Sequence, residues 1–198
     1  MIELIEEALQ DASDGLKALQ GNAGTLCNIA NAAGVIAQSL KAGGRVMSCG
    51  NGGSLCDAMH FAEELSGRFR QDRKPLAAMA IADAAHLTCV ANDLGFDQVF
   101  SRYVEAHGRT GDVLVAISTS GKSPNILKAV DSAHAQGMQV IALTGVPHSD
   151  LAKVANISIA TPAGKFSDRI QELHIKVIHI VIELIERAIF PENYPSPK

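Results

Sequence analysis

The amino-acid sequence predicts an α/β fold with a five-stranded parallel sheet covered by helices on both faces, and three observations carry that expectation. Five short runs, RVMSCG (45–50), LAAMAIA (76–82), VLVAIS (113–118), VIALTG (140–145) and ISIATP (157–162), are almost continuously apolar rather than alternating. Strands buried on both faces read this way. Most segments between the runs carry helical periodicity, so strand and helix alternate along the chain. Two of the runs end in loops rich in glycine and serine, the edge at which open α/β sheets bind ligands.

In chain order, helical patterns cover 2–20 and 25–42, and Gly43 with Gly44 stops the second as glycine commonly stops a helix. After the fifth run a long helix is expected over 166–190, followed by a polar tail, PENYPSPK, at 191–198. A chain of 198 residues that is 47% hydrophobic and has no Ser/Gly/Pro linker suffices for one core, so a single domain over 1–198 is expected.

Composition narrows the partners. A formal charge of −4 with 4% aromatic residues and no tryptophan offers neither a basic face nor a stacking platform, which argues against nucleic acid. No uncharged apolar stretch of about 18 residues is present to span a membrane. The acidic start MIELIEEALQDAS is unlike a signal peptide, so the expected location is cytoplasmic. Cys27, Cys49, Cys56 and Cys89 show no paired spacing and read as reduced thiols filling small core volumes.

The first junction loop, SCGNGGS (48–54), has glycines that permit tight turns and close approach to a ligand, with Ser54 placed to cap the next helix. The second, STSGKS (118–123), puts Ser123 at an N-cap and Pro124 at the first helical position. Helix N-termini present unpaired N–H groups, and Ser118, Thr119, Ser120 and Ser123 add four hydroxyls, so this loop reads as a phosphate nest. Neither loop fits G-x-x-x-x-G-K-[ST] or G-x-G-x-x-G, which favours a small phosphate ester over a nucleotide.

The helix after the first loop, LCDAMHFAEELSGR, carries His60 and Glu64 four residues apart, about 40° around the axis and roughly 6 Å along it. That spacing suits two ligands of one metal ion, and zinc accepts nitrogen and oxygen donors. Glu63 lies about 60° from His60 on the other side, so spacing alone does not choose between the glutamates. In the last helix, RIQELHIKVIHIVIELIE (169–186), His179 lies about 80° from Gln171 and His174 about 140° from His179. Gln171 and His179 are also about 12 Å apart along the axis, so either long side chains lean together or two subunits contribute.

The segments SCGNGGSLCDAMHFAEEL, ANDLGF, GDVLVAISTSGKS and DRIQELHIKVIHIVIELIE resemble the phosphoheptose isomerase branch of the sugar isomerase (SIS) domain proteins, over residues from about 25 to 190. The resemblance implies a flavodoxin-like three-layer sandwich and a homotetramer with sites at subunit interfaces. The N-terminal helices, 1–42, are expected to serve in oligomerisation. It implies one zinc ion per subunit and an aldose–ketose isomerisation of sedoheptulose 7-phosphate to D-glycero-D-manno-heptose 7-phosphate, for the heptose of lipopolysaccharide core.

Carried over by position, the resemblance assigns Asn51, Gly52, Gly53, Asn92 and Asp93 to sugar hydroxyls, and Ser118, Thr119, Ser120 and Ser123 to the phosphate. It assigns His60, Glu64, Gln171 and His179 to the metal, Glu64 and Gln171 also to the substrate, and Asp168 to a hydroxyl. Such a reaction needs a base, an acid and stabilisation of a developing oxyanion, roles that fall to Glu64, His179 and zinc in that order. His174 stays structural. Lys122, where this loop more often carries Asn, adds a cation near the phosphate, and TGVPHSD lacks the glycine pair often seen after that strand. The competing expectation is a non-catalytic SIS binding protein, tethering a replication initiator or sensing a sugar phosphate.

Overall fold

All five expected strands form in the computed structural model, which describes residues 1–194, and they lie parallel in one sheet. They are β1 (Val46–Gly50), β2 (Ala78–Ala80), β3 (Val113–Ser118), β4 (Gln139–Thr144) and β5 (Ile157–Ala160), in the spatial order β2-β1-β3-β4-β5. Alternate residues of each strand feed opposite faces. Val46, Val115, Ile117, Ile141 and Ile159 join one core, and Met47, Leu114, Ala116, Val140 and Ala142 the other. Two apolar cores are why the runs are continuous rather than alternating.

Helices cover both faces. On one side α2 (Ala23–Lys41), α3 (Gly53–Ser66) and α8 (Ser167–Ile189) pack through Ile29, Ile36, Phe61, Leu65, Val177, Ile178 and Ile182. On the other, α4 (Ala84–Asp93), α5 (Ser101–His107) and α6 (Pro124–Ala135) bury Val90, Val104 and Ile126, with α7 (Asp150–Val154) adding Leu151. The result is the flavodoxin-like three-layer sandwich. Its α1 (Ile2–Gln20) leans on α8 at Gly15, where an added Cβ would fall 3.0 Å from the Ala163 Cβ and 3.2 Å from Leu173. The rest of α1 leaves Ile2, Leu4, Ile5 and Leu9 exposed.

Several expectations are corrected. The second strand keeps three of its seven expected residues, because it is a sheet edge and the Leu76 N–H is already taken by the Leu65 carbonyl at the end of α3. Ser54 does not cap α3; Gly52, at φ 56°, holds that position, and Ser54 is buried in the first turn. Only Cys49 is a core thiol, while Cys27, Cys56 and Cys89 are exposed. In the turn VPHSD, His148 takes φ 60°, a left-handed conformation that glycine would adopt without strain. Of the expected tail, Pro191–Asn193 form a 3-10 turn and Asn193 reaches the Asp72 carbonyl, whereas 195–198 lie outside the described residues. Among the described residues no helix is long and apolar enough to cross a membrane.

Candidate active site

The strand order reverses between β1 and β3, since the chain leaves β1 toward β2 on one side and returns to β3 on the other. Loops at such a switch point diverge and leave a crevice at the carboxyl ends of the strands. The two loops singled out in the sequence are the ones that follow β1 and β3. Between them lies a cavity of about 320 Å³ lined by Asn51, Gly52, Gly53, Ser54, Ile117, Ser118, Thr119 and Ser123, with Ser167 and Gln171 from α8 closing one side.

The phosphate loop is built by its own hydroxyls. Ser118 Oγ accepts the Gly121 N–H at 3.2 Å and stands 3.2 Å from Ser123 Oγ. Gly121, at φ 63°, makes the reversal. Ser123 is at the N-cap of α6, as expected, but its hydroxyl makes no capping bond and so stays turned to Ser118 and the cavity. Ser120, unlike the other three expected phosphate residues, does not line the cavity; it is exposed, its Oγ accepting the Lys122 N–H at 3.3 Å.

Asn125, in the first turn of α6 and 2% exposed, ties the two loops together. Its amide and that of Asn51 exchange two hydrogen bonds, Asn51 Nδ2 to Asn125 Oδ1 at 3.0 Å and Asn125 Nδ2 to Asn51 Oδ1 at 2.8 Å. Sequence reasoning missed Asn125, although a polar residue on the inner side of an N-terminal turn was a usable signal. Gly53 lets Gln171 approach closely: a Cβ there would fall 2.5 Å from Gln171 Oε1, so a side chain at 53 would displace the Gln171 amide.

Further along the same two helices, His60, Glu64 and His179 converge, each offering a ligand atom within 4.8 Å of the others. His60 Nε2 is 3.2 Å from Glu64 Oε1 and 3.4 Å from His179 Nε2. Two nitrogens bound tetrahedrally to zinc at about 2.0–2.1 Å stand about 3.4 Å apart, so the donor set fits that ion. The choice between glutamates is made by position: Glu64 is 17% exposed, whereas Glu63 is 66% exposed and 3.8 Å from His60. Burial, then His60, lower the pKa of His179 against the opposing pull of Glu64, which favours the neutral imidazole that ligates metals.

Gln171 is not with this trio in its own chain. It stands at Gly53, seven residues and about 10 Å before His60 along α3. Asn92 and Asp93 are exposed at the end of α4, where the Asn92 amide donates to Asp93 Oδ1 at 2.7 Å, and Asp168 is exposed beside Arg169. None of these three lines the cavity. Asp57, one turn before His60, was missed: burial pushes its carboxyl up to about 6, against the pull of His60, and its Oδ2 has no partner. His174 keeps its structural assignment, fully buried and turned toward the Thr144 carbonyl without closing a hydrogen bond of normal geometry.

The chain is similar to known proteins over most of its length. Residues 13–145 match the model of the SIS domain. The phosphoheptose isomerase of Aeromonas salmonicida (strain A449) is 57% identical over 187 residues, 94% of this chain and 97% of that protein. The chain belongs to the phosphoheptose isomerase branch of the SIS domain family. Among solved SIS structures, a phosphoheptose isomerase from Francisella tularensis superposes with a TM-score of 0.87 at 37% identity, covering 94% of this chain and 98% of that one. The phosphoheptose isomerase from Neisseria gonorrhoeae gives 0.81 at 39% identity, over 93% and 96%.

Proposed function

We infer that the protein is an aldose–ketose isomerase that converts sedoheptulose 7-phosphate to D-glycero-D-manno-heptose 7-phosphate, the heptose that enters lipopolysaccharide core. The observation that carries this reading is the convergence, on the pair α3 and α8, of a hydroxyl-lined cradle at one end and the His60–Glu64–His179 group at the other. The relatives' named activity supplies the substrate class.

In this reading Ser118, Thr119 and Ser123, which line the cavity, hold the phosphate against the N-terminus of α6, with exposed Ser120 of the same loop joining them as the resemblance implies. The backbone of Asn51, Gly52 and Gly53 receives the sugar, with Gln171 beside it. Isomerisation moves a proton between C1 and C2 of the open-chain sugar through an enediol. Glu64 takes and returns that proton, and His179 serves the neighbouring oxygen as acid. One zinc per subunit, held by His60, Glu64 and His179 with Gln171 as the fourth ligand that the resemblance implies, supplies Lewis-acid polarisation of the carbonyl when bound.

The reading extends to a cytoplasmic homotetramer of single-domain chains, with sites at subunit interfaces. Two observations support shared sites: the exposed apolar residues of α1, Ile2, Ile5 and Leu9, suit burial against another chain, and Asn92, Asp93 and Asp168 are exposed and do not line their own cavity. Gln171, separated from its own trio, fits the same picture. Incubation with sedoheptulose 7-phosphate, with and without a chelator, tests the assignment through appearance of the aldose. Product that disappears with metal removal and returns with zinc supports it; no product under any metal condition favours a binding protein.

A further inference from the structure

α3 and α8 lie side by side in parallel, Gly53 against Gln171 and His60 against His179, yet about a hundred residues separate them in the chain. No short loop sets their register. The apolar contacts between them are non-directional and tolerate sliding, whereas the trio requires a fixed offset.

A buried cation supplies directionality. Arg73, in the loop between α3 and β2, has a side chain 1% exposed and faces Glu186 of α8, also 1% exposed, with Nε donating to Glu186 Oε1 at 2.7 Å. Its Nη2 donates to the Glu64 carbonyl at 2.7 Å, and Nη1 to the Gly67 carbonyl at 2.8 Å, both at the C-terminal end of α3. A cation is favoured at that end of a helix, and the planar fork of a guanidinium fixes the directions of its bonds. The second oxygen of Glu186 accepts the Tyr194 hydroxyl, so the carboxylate is anchored on both sides. Glu64 is the residue whose carboxylate joins the trio, and Glu186 lies two turns beyond His179 on the same face of α8, about 20° away.

We propose that Arg73 is a positioning residue for the metal group: bonded to the Glu64 backbone and to Glu186, it sets the register of α3 against α8 and holds His60, Glu64 and His179 at ligand spacing before an ion arrives. This rests on the reading of that trio as a zinc site. A buried ion pair adds little net stability over an apolar replacement, and its directionality is what such a replacement cannot reproduce.

The test is zinc affinity of the metal-stripped full-length protein, measured by competition with a chromogenic chelator, beside thermal unfolding of the same metal-free samples. Wild type, His60→Ala, Arg73→Lys and Glu186→Gln are compared. Arg73→Lys keeps the charge but cannot span three acceptors, and its zinc affinity is expected to fall about 10- to 100-fold, the range seen when groups that orient ligands are lost. Glu186→Gln keeps an acceptor for Nε and is expected to fall less, in the same direction; it carries the test should Arg73→Lys not fold. Folded variants that bind zinc within about twofold of wild type, whatever their melting temperature, overturn the proposal while leaving the zinc site standing. Wild type that binds no better than His60→Ala removes the zinc reading and the proposal with it.

Discussion

His174 makes the acid sensitivity of this fold calculable. The imidazole is fully buried between α8 and the end of β4, and burial lowers its pKa from 6.5 to about 4, partly offset by the nearby Thr144 carbonyl. The folded state therefore keeps the ring neutral while the unfolded chain protonates it. The contribution to stability is intact above 6.5 and is lost as pH falls toward 4. The difference of about 2.5 units, at about 1.36 kcal/mol per unit, amounts to about 3 kcal/mol. Urea midpoints of wild type and His174→Leu, taken with chelator at one protein concentration from pH 7 to about pH 4, isolate the contribution of this imidazole, because other titrations are shared. Wild type is expected to lose about 3 kcal/mol more than the variant over that range. Parallel loss in the two proteins would refute the account of His174.

Three other outcomes follow from the site. Asn125→Ala leaves the half-buried Asn51 amide without its partner, which costs about 0.5–1.5 kcal/mol for each of the two lost bonds and loosens one ligand loop from the other. Steady-state kinetics should show it as a raised KM for the sugar phosphate, and an unchanged KM would contradict the loop-tying role. Gly53→Ala drives a methyl group into the Gln171 amide, so substrate affinity should fall in titrations although α3 itself gains a better helix former. Asp57, whose carboxyl is raised to about 6, destabilises the metal-free protein as pH climbs through that value. Asp57→Asn should then melt higher than wild type at pH 8 but not at pH 4, and equal gaps at both would remove burial as the cause.

Much of this molecule was legible in its residues. The continuous apolar character of VLVAIS and VIALTG told of strands covered on both faces, and β3 and β4 came out within one residue of those runs. LAAMAIA misled at its ends, because an edge strand pairs on one side only and the neighbouring helix end competes for its backbone. In the site, helical arithmetic placed His60 with Glu64 but could not choose Glu64 over Glu63. The family resemblance made that choice, and in the fold α8 delivers His179 to one side of α3 and leaves Glu64 less exposed than Glu63 there. Long-range partners are where local reading stops. Nothing in GRFRQDRK marks Arg73 as the one guanidinium that turns inward, since its acceptors lie at Glu64, Gly67 and Glu186. The separation of Gln171 from His179, by contrast, was present in the spacing of two turns and persists in the fold.

The central claim is that His60, Glu64 and His179 form the reacting end of a sugar-phosphate isomerase site. It is tested most directly by turnover of sedoheptulose 7-phosphate by the zinc-loaded protein beside Glu64→Gln and His179→Ala. Wild type should form the aldose, and each variant should remain a folded oligomer that forms none. Near-normal turnover by either purified variant would contradict the account.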